Sequence, residues 1–220
     1  MTPVNPQNDF KEIYEHTNTD FPFGVYFVTP NNFFSNMVPW HWHDEYELDI
    51  VRDGSAIYTI GEEEVILNTG DAILIKSNVF HSIAPIGNSF AIISLIFSPK
   101  LLFPNVTSTS SLYYLEPVTE NPSKYFLFGQ SSKKGRAVIS SIDEIIELNL
   151  SKSFGYELLT KSEMCQLWYL IIKDLPRIPK PEKNEIRESK ITLDDQRIKD
   201  AISFIHQNYF LRPQSYPLFL

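Results

Sequence analysis

The segment His41-Trp42-His43-Asp44-Glu45-Tyr46-Glu47 gathers two imidazoles and a well-spaced carboxylate on a stretch that otherwise reads as β-strand. Alternate residues of a strand face the same side, so His41 and His43 project together, and Glu47 keeps their parity if no bulge intervenes. His81, beyond Gly70-Asp71, supplies a further nitrogen from another strand. Imidazole and carboxylate donors in this mix suit a divalent transition metal. The same groups can instead line a pocket for a small polar effector, or pair with one another in a purely structural role. His41, His43, Glu47 and His81 are therefore the candidate site, as effector pocket or as metal ligands. His16 and His206 read as surface or helix-face residues without chemistry.

The elements that must position these groups are short β-runs between Phe21 and Pro99. Val25 to Val28 is β-branched and aromatic, and Glu47 to Val51 alternates and is expected to stop at a turn, Arg52-Asp53-Gly54. Ala56 to Ile60 and Glu64 to Leu67 flank Gly61-Glu62, the pattern of a tight hairpin. Asn68-Thr69-Gly70-Asp71 then reverses the chain into Ala72 to Ile75. Phe90 to Phe97 is continuously apolar, as expected of a strand buried on both faces. Leu48 and Ile50 have the opposite parity to Glu47, and in a barrel with helices outside, this leaves open which side is the lumen.

After Pro122 the period changes. Val138, Ile139, Ile142, Ile145 and Ile146 form one stripe of an amphipathic helix, with Asp143, Glu144 and Glu147 opposite. Gly155 precedes a second helix, Tyr156 to Lys173, whose stretch Met164 to Ile172 is apolar nearly all round. A helix that covers its own barrel with one face needs a partner for the rest, so a homodimer is expected through Ile142, Ile146, Leu167, Trp168 and Ile171. The alternative is that the two helices only cover the barrel.

The net charge of −8 over 220 residues argues against a non-specific electrostatic grip on nucleic acid. A single cysteine, Cys165, excludes an internal disulfide and agrees with a reducing, cytoplasmic setting. Met1 to Phe10 shows no leader pattern, and Ala91 to Phe97 is too short to span a bilayer, so no membrane partner is expected. Leu175 to Ser189 carries Pro176, Pro179 and Pro181 among charges, the composition of a semi-rigid linker. Asp194 or Asp195 then caps a helix with a stripe of Ile198, Ala201, Ile202, Ile205 and Tyr209. No second, recognition helix follows, so no DNA-binding residue is expected in this chain.

His41, His43, Glu47 and Gly54, followed by Gly70-Asp71 and His81, resemble the two motifs of the cupin β-barrel, although the proline and glycine usual between the last two are absent here. With the two helices and Arg197-Ile198-Lys199-Asp200-Ala201-Ile202-Ser203-Phe204-Ile205 added, the order of parts resembles a regulator of the AraC/XylS family. That resemblance implies a mainly β fold with α: a cupin-like double-stranded β-barrel, two packed α-helices and a C-terminal partial helical segment. The expected divisions are an N-terminal arm at 1–24, the barrel at 25–130, a helical dimerisation segment at 131–175, the linker at 176–193 and a truncated start of a helix-turn-helix domain at 194–220. Asn5 to Asp20 either folds over the barrel mouth or stays free as a terminus. The implied function is the effector-sensing and dimerisation part of a transcriptional regulator, not an enzyme, meeting promoter DNA only through the missing C-terminal domain. The rival is a metal-dependent cupin enzyme, a dioxygenase or isomerase, with His41, His43 and His81 as ligands and Glu47 as fourth ligand or base.

Overall fold

Two long strands, β3 (Tyr46–Ile60) and β6 (His81–Phe97), pair antiparallel and organise everything else. The computed structural model describes residues 10–15, 20–33, 36–106 and 108–176; His16, His206 and the expected linker and partial helical segment beyond Pro176 lie outside them. The β3/β6 ladder runs from Tyr46↔Phe97 to Val51↔Ile92, shifts register twice, and resumes from Ala56↔Pro85 to Ile60↔His81. Each strand therefore serves two sheet halves. One half adds β1 (Phe23–Val28) beside β6, β5 (Ala72–Ile75) beside β3, and β7 (Tyr125–Phe128) beside β5. The other adds β2 (Val38–His41) beside β6 and β4 (Glu63–Asn68) beside β3. The halves face each other as a cupin-like double-stranded barrel whose hydrogen-bonded path does not close into a ring.

Arg52-Asp53-Gly54 is not the expected turn. β3 runs straight through it as a bulge, with Gly54 at φ +72° and a virtual Cβ there only 2.5 Å from Ser89 O. The glycine serves the bend and the close approach of β6, a use of turn-type residues that local sequence does not separate from a reversal. Arg52 is turned outward at this bulge and pairs with Asp143 of the first long helix. Gly61-Glu62 does form the two-residue hairpin connection, between Ile60 and Glu63. The Asn68–Asp71 reversal delivers β5 to the other half of β3, against Glu47 to Ile50, and not back onto β4. β1 begins at Phe23, inside the expected arm, and α1 (Thr109–Thr119), capped by Ser108, is a helix that no periodic stripe had announced.

α2 (Lys133–Ser151) and α3 (Tyr156–Ile172) pack on the outside of the first sheet half. The Ser132 hydroxyl accepts the Gly135 N–H at 2.8 Å and caps α2, which buries Val138, Ile139, Ile142, Ile145 and Ile146 as its stripe requires. These meet Tyr46, Leu48, Ile50, Leu74 and Phe97 in one apolar core, with Trp168 against Tyr46 at 5.2 Å between ring centroids. The opposite face of the same strand turns Glu47, Asp49 and Val51 into the lumen. There Val51, Tyr58, Ile60, Ile73, Ile75, Ile83 and Ile92 form a second core. Leu48 and Ile50 thus face the helices, and the side bearing Glu47 is the interior.

The five residues expected at a dimer interface need correction. Ile142, Ile146, Leu167, Trp168 and Ile171 are all buried within the chain's own core, none more than 5% exposed. The sheet, α1 and the α2–α3 contact cover them, so a nearly all-apolar helix finds its partners within one chain. Among the described residues, no helix is long and apolar enough to cross a membrane.

Candidate functional site

Three backbone carbonyls fix the site. His41 Nδ1 lies 2.9 Å from Pro39 O, His43 Nδ1 3.1 Å from Glu45 O, and His81 Nδ1 2.9 Å from Val79 O. A carbonyl only accepts, so each Nδ1 carries hydrogen, and each ring presents Nε2 to the interior. β2 delivers His41, the β2–β3 connection His43, β3 Glu47, and the first residue of β6 delivers His81 opposite His41 in the ladder. His43 Nε2 and His81 Nε2 both approach Glu47 Oε2 at 2.9 Å. Ligand atoms from all four residues lie within 4.8 Å of one another, and none of the residues is more than 4% exposed. The sequence-predicted set is therefore brought together completely.

The charges at this point are strongly coupled. Burial, then the neighbouring His81, hold His41 down at about 3, a neutral ring. Burial opposes charge on His43 as well, yet its bond to Glu47 and the Glu47 charge push it up. For Glu47, burial is outweighed by His81 and His43, which hold the carboxyl well below the usual carboxylate range. The Nε2 contacts with Glu47 are hydrogen bonds only where Nε2 holds a second proton. A divalent cation satisfies the same lone pairs without those protons, and imidazoles oriented through Nδ1–H to carbonyls are the usual support of such ligands. Three nitrogens and one carboxylate, buried and convergent, fit a divalent transition metal.

Two further groups of residues join the site. Asp49, next along the lumen face of β3, accepts a hydrogen bond from Tyr58 OH at 2.9 Å on Oδ2. Its other oxygen and the hydroxyl of Ser94, opposite it in the ladder, are both buried, and Ser94 and Glu47 are its polar neighbours. Burial, then the Glu47 charge, push the Asp49 carboxyl well above its ordinary value. The signal for Asp49 was in the sequence, since it shares the parity of Glu47 inside an apolar run. The second group is Glu12 and Tyr14. The Glu12 N–H donates to Trp42 O at 2.8 Å, and Trp42 N–H to Phe10 O at 3.1 Å, which lays residues 10–15 beside the histidine segment. Glu12 Oε2 then stands 3.4 Å from His41 Nε2, and Tyr14 OH donates to the same oxygen at 2.7 Å. No periodicity marks these two residues.

Comparison with known proteins follows this geometry. A family model described as AraC-like ligand binding domain matches residues 34–168, a span holding all four cluster residues. The chain is 23% identical over 203 residues to the uncharacterized HTH-type transcriptional regulator YdeC of Bacillus subtilis (strain 168), an alignment covering 91% of this chain and 66% of that protein. It therefore spans slightly less than two thirds of the curated relative it matches. Among solved structures, an apo form of ToxT from Vibrio cholerae strain SCE256 aligns at a TM-score of 0.47 and 18% identity, over 76% of this chain and 61% of that one. A cupin-2 domain containing protein from Shewanella frigidimarina NCIMB 400 aligns at 0.30 and 20% identity, over 34% and 69%.

Proposed function

The chain belongs to the family of AraC-like ligand binding domains, and we propose from that premise that it is the effector-sensing and dimerisation part of a cytoplasmic transcriptional regulator. The observation that supports this most directly is the buried polar cluster inside the barrel. Ligand atoms converge from three histidines and Glu47, and Asp49 and Ser94 add buried polar groups beside them. Buried polar and ionisable groups cost stability when they are not matched, so their concentration at one place inside the barrel supports a binding role. The ligand class is a small polar molecule. His41, His43, Glu47 and His81 would hold a divalent transition metal, which would supply Lewis-acid character to the site. Asp49, Tyr58 and Ser94 orient the ligand by hydrogen bonds and keep water out. Promoter DNA is assigned to a helix-turn-helix part of the whole regulator, and not to residues 34–168.

The dimer is proposed on a different face from the one read in sequence. Leu158 and Tyr169 are 74% and 63% exposed on the outer side of α3, with exposed Cys165 between them and Phe154 fully exposed in the α2–α3 turn. This stripe suits a two-fold contact with the same helix of a second copy. Sedimentation at micromolar concentration should show a dimer that Leu158→Glu converts to monomer.

The deciding experiment is elemental analysis of protein purified without chelator or affinity-tag metal, followed by a thermal-shift screen of small polar molecules. Near-stoichiometric metal, lost in the His41→Ala/His43→Ala double variant, is expected, together with a ligand that raises Tm without being consumed. Turnover of that ligand by the metal-loaded protein would restore the cupin-enzyme reading. Protein without metal would reduce the site to a bare polar pocket.

A further inference from the structure

We infer that Asn78 is a positioning residue of the cluster: its left-handed backbone conformation ties together the two connections that deliver His43 and His81, and so sets the gap that Glu47 bridges. The inference rests on the ligand site proposed above and adds to it a residue that contributes no ligand atom.

His43 is the ligand that needs such a tie. It lies between β2 and β3, outside the ladder that fixes Glu47 and His81. Its carbonyl accepts the Asn78 N–H at 2.7 Å. One residue on, Val79 O accepts from His81 Nδ1 at 2.9 Å, while the Val79 side chain is buried in the lumen core. Phe80 O then accepts the Gly61 N–H at 3.0 Å, which fastens the end of this connection to the β3–β4 hairpin. Three successive residues thus serve His43, His81 and the barrel in turn, and the chain makes the required change of direction at Asn78, with φ +64°.

Lys76 to Phe80 contains no glycine, the ordinary occupant of that conformation. Asparagine is among the few residues with a side chain that adopt it readily, whereas a β-branched residue there is a genuine outlier. The consequence for the site is metric. His43 Nε2 and His81 Nε2 both stand 2.9 Å from a single oxygen, Glu47 Oε2, with their ring centroids 5.4 Å apart and their planes at 89°. A ligand constellation must be held to within about 0.5 Å by the groups behind it. A backbone that relaxed at Asn78 would move the His43 carbonyl and the Val79 carbonyl apart, and with them the two rings.

The test uses the full chain and Co²⁺ alone as probe, read by titration, by the visible spectrum of the bound ion and by the ring ¹⁵N shifts of the histidines in metal-free protein. Asn78→Gly keeps the left-handed turn and should match the parent in all three. Asn78→Ala and Asn78→Val should weaken Co²⁺ in that order, by about 10- to 100-fold for valine, the range that loss of supporting groups produces in metal sites. Both should shift the ligand-field bands and disturb the Nδ1–H signals of His43 and His81. Gly155→Val places similar strain in the α2–α3 turn, at φ +84°, and should lower the urea midpoint alone. If Asn78 serves only the fold, its valine variant will behave as Gly155→Val does, with parent affinity, spectrum and ring shifts in the folded protein, and the inference is overturned. Weakening in Asn78→Gly would overturn it too, by placing the effect in the side chain. Should valine prevent folding, alanine against glycine decides by the same readouts. Parent protein that takes up no more Co²⁺ than the His41→Ala/His43→Ala variant would remove the metal reading, and the ring shifts of Asn78→Ala against Asn78→Gly would still decide the positioning.

Discussion

The two cores that share β3 are built to opposite specifications. On the helix side, Tyr46, Leu48 and Ile50 join one apolar cluster, and the indole N–H of Trp168 is satisfied by Tyr114 O at 2.9 Å. On the lumen side, two residues out of register with these, Glu47 and Asp49, share the interior with His43, His81 and Tyr58. One strand therefore divides an apolar core from a buried polar cluster by parity. The second half of β3 confirms the logic by contrast: with no helices behind it, Ala56, Tyr58 and Ile60 are buried while Ile57 and Thr59 are only partly so. Within β3, both faces are buried only in the half that the helices cover. The buried ionisable cluster of His41, His43, Glu47, Asp49 and His81 lies on the lumen face, which is where function is expected to reside.

The largest effect should come from the helix-side core. Trp168→Ala removes a buried ring in contact with Tyr46, Phe97 and Phe103 and leaves the Tyr114 carbonyl without its donor. A loss of about 3–5 kcal/mol is expected in urea denaturation, with metal stoichiometry unchanged in the protein that remains folded. A loss under about 1 kcal/mol would mean that this core is not the main stabilising layer. The lumen should respond in the other direction. Replacing His43, Glu47 and His81 together by leucine exchanges a buried charged network for apolar side chains, a change often neutral or stabilising by about 1–4 kcal/mol. Metal uptake should vanish while the urea midpoint holds or rises. A marked fall in midpoint would make the cluster a structural centre and erase the division of labour.

That division was partly legible in the sequence, for physical reasons that differ by residue. His41, His43, Glu47 and His81 do converge, but His43 sits in the β2–β3 connection, so strand parity accounts for only part of it. The α2 stripe and the Gly61-Glu62 connection were read correctly, because period and turn chemistry are local. The identity of the lumen side was not legible, since Tyr46 to Val51 is buried on both faces and carries no alternation of polarity beyond Glu47 and Asp49. Gly54 was read as a turn because a bulge uses the same residue for a close approach to Ser89 that only the paired strand reveals. The apolar surround of α3 was read as a dimer seam, although the chain itself covers Leu167, Trp168 and Ile171 and leaves Leu158 and Tyr169 outside. Glu12 is held to the site by backbone bonds to Trp42, which leave no trace in side-chain pattern.

The smallest change is the sharpest test of what the lumen face is for. Ser94 is opposite Asp49 in the ladder and 3% exposed, and its hydroxyl lies beside the Asp49 carboxyl. If the hydroxyl is kept for a ligand, Ser94→Ala removes a buried polar atom and leaves only a small void. Stability of the ligand-free protein should then hold or rise by about 1 kcal/mol or less, because the cost of burying the hydroxyl offsets what is lost with one oxygen. The same variant should diminish the thermal shift produced by any effector identified in the screen. A loss of about 1 kcal/mol in the ligand-free protein, with the effector's shift intact, would show that Ser94 is bonded in solution and serves the fold. The polar lumen would in that case be satisfied from within, and the contrast between the two faces of β3 would reduce to the metal cluster alone.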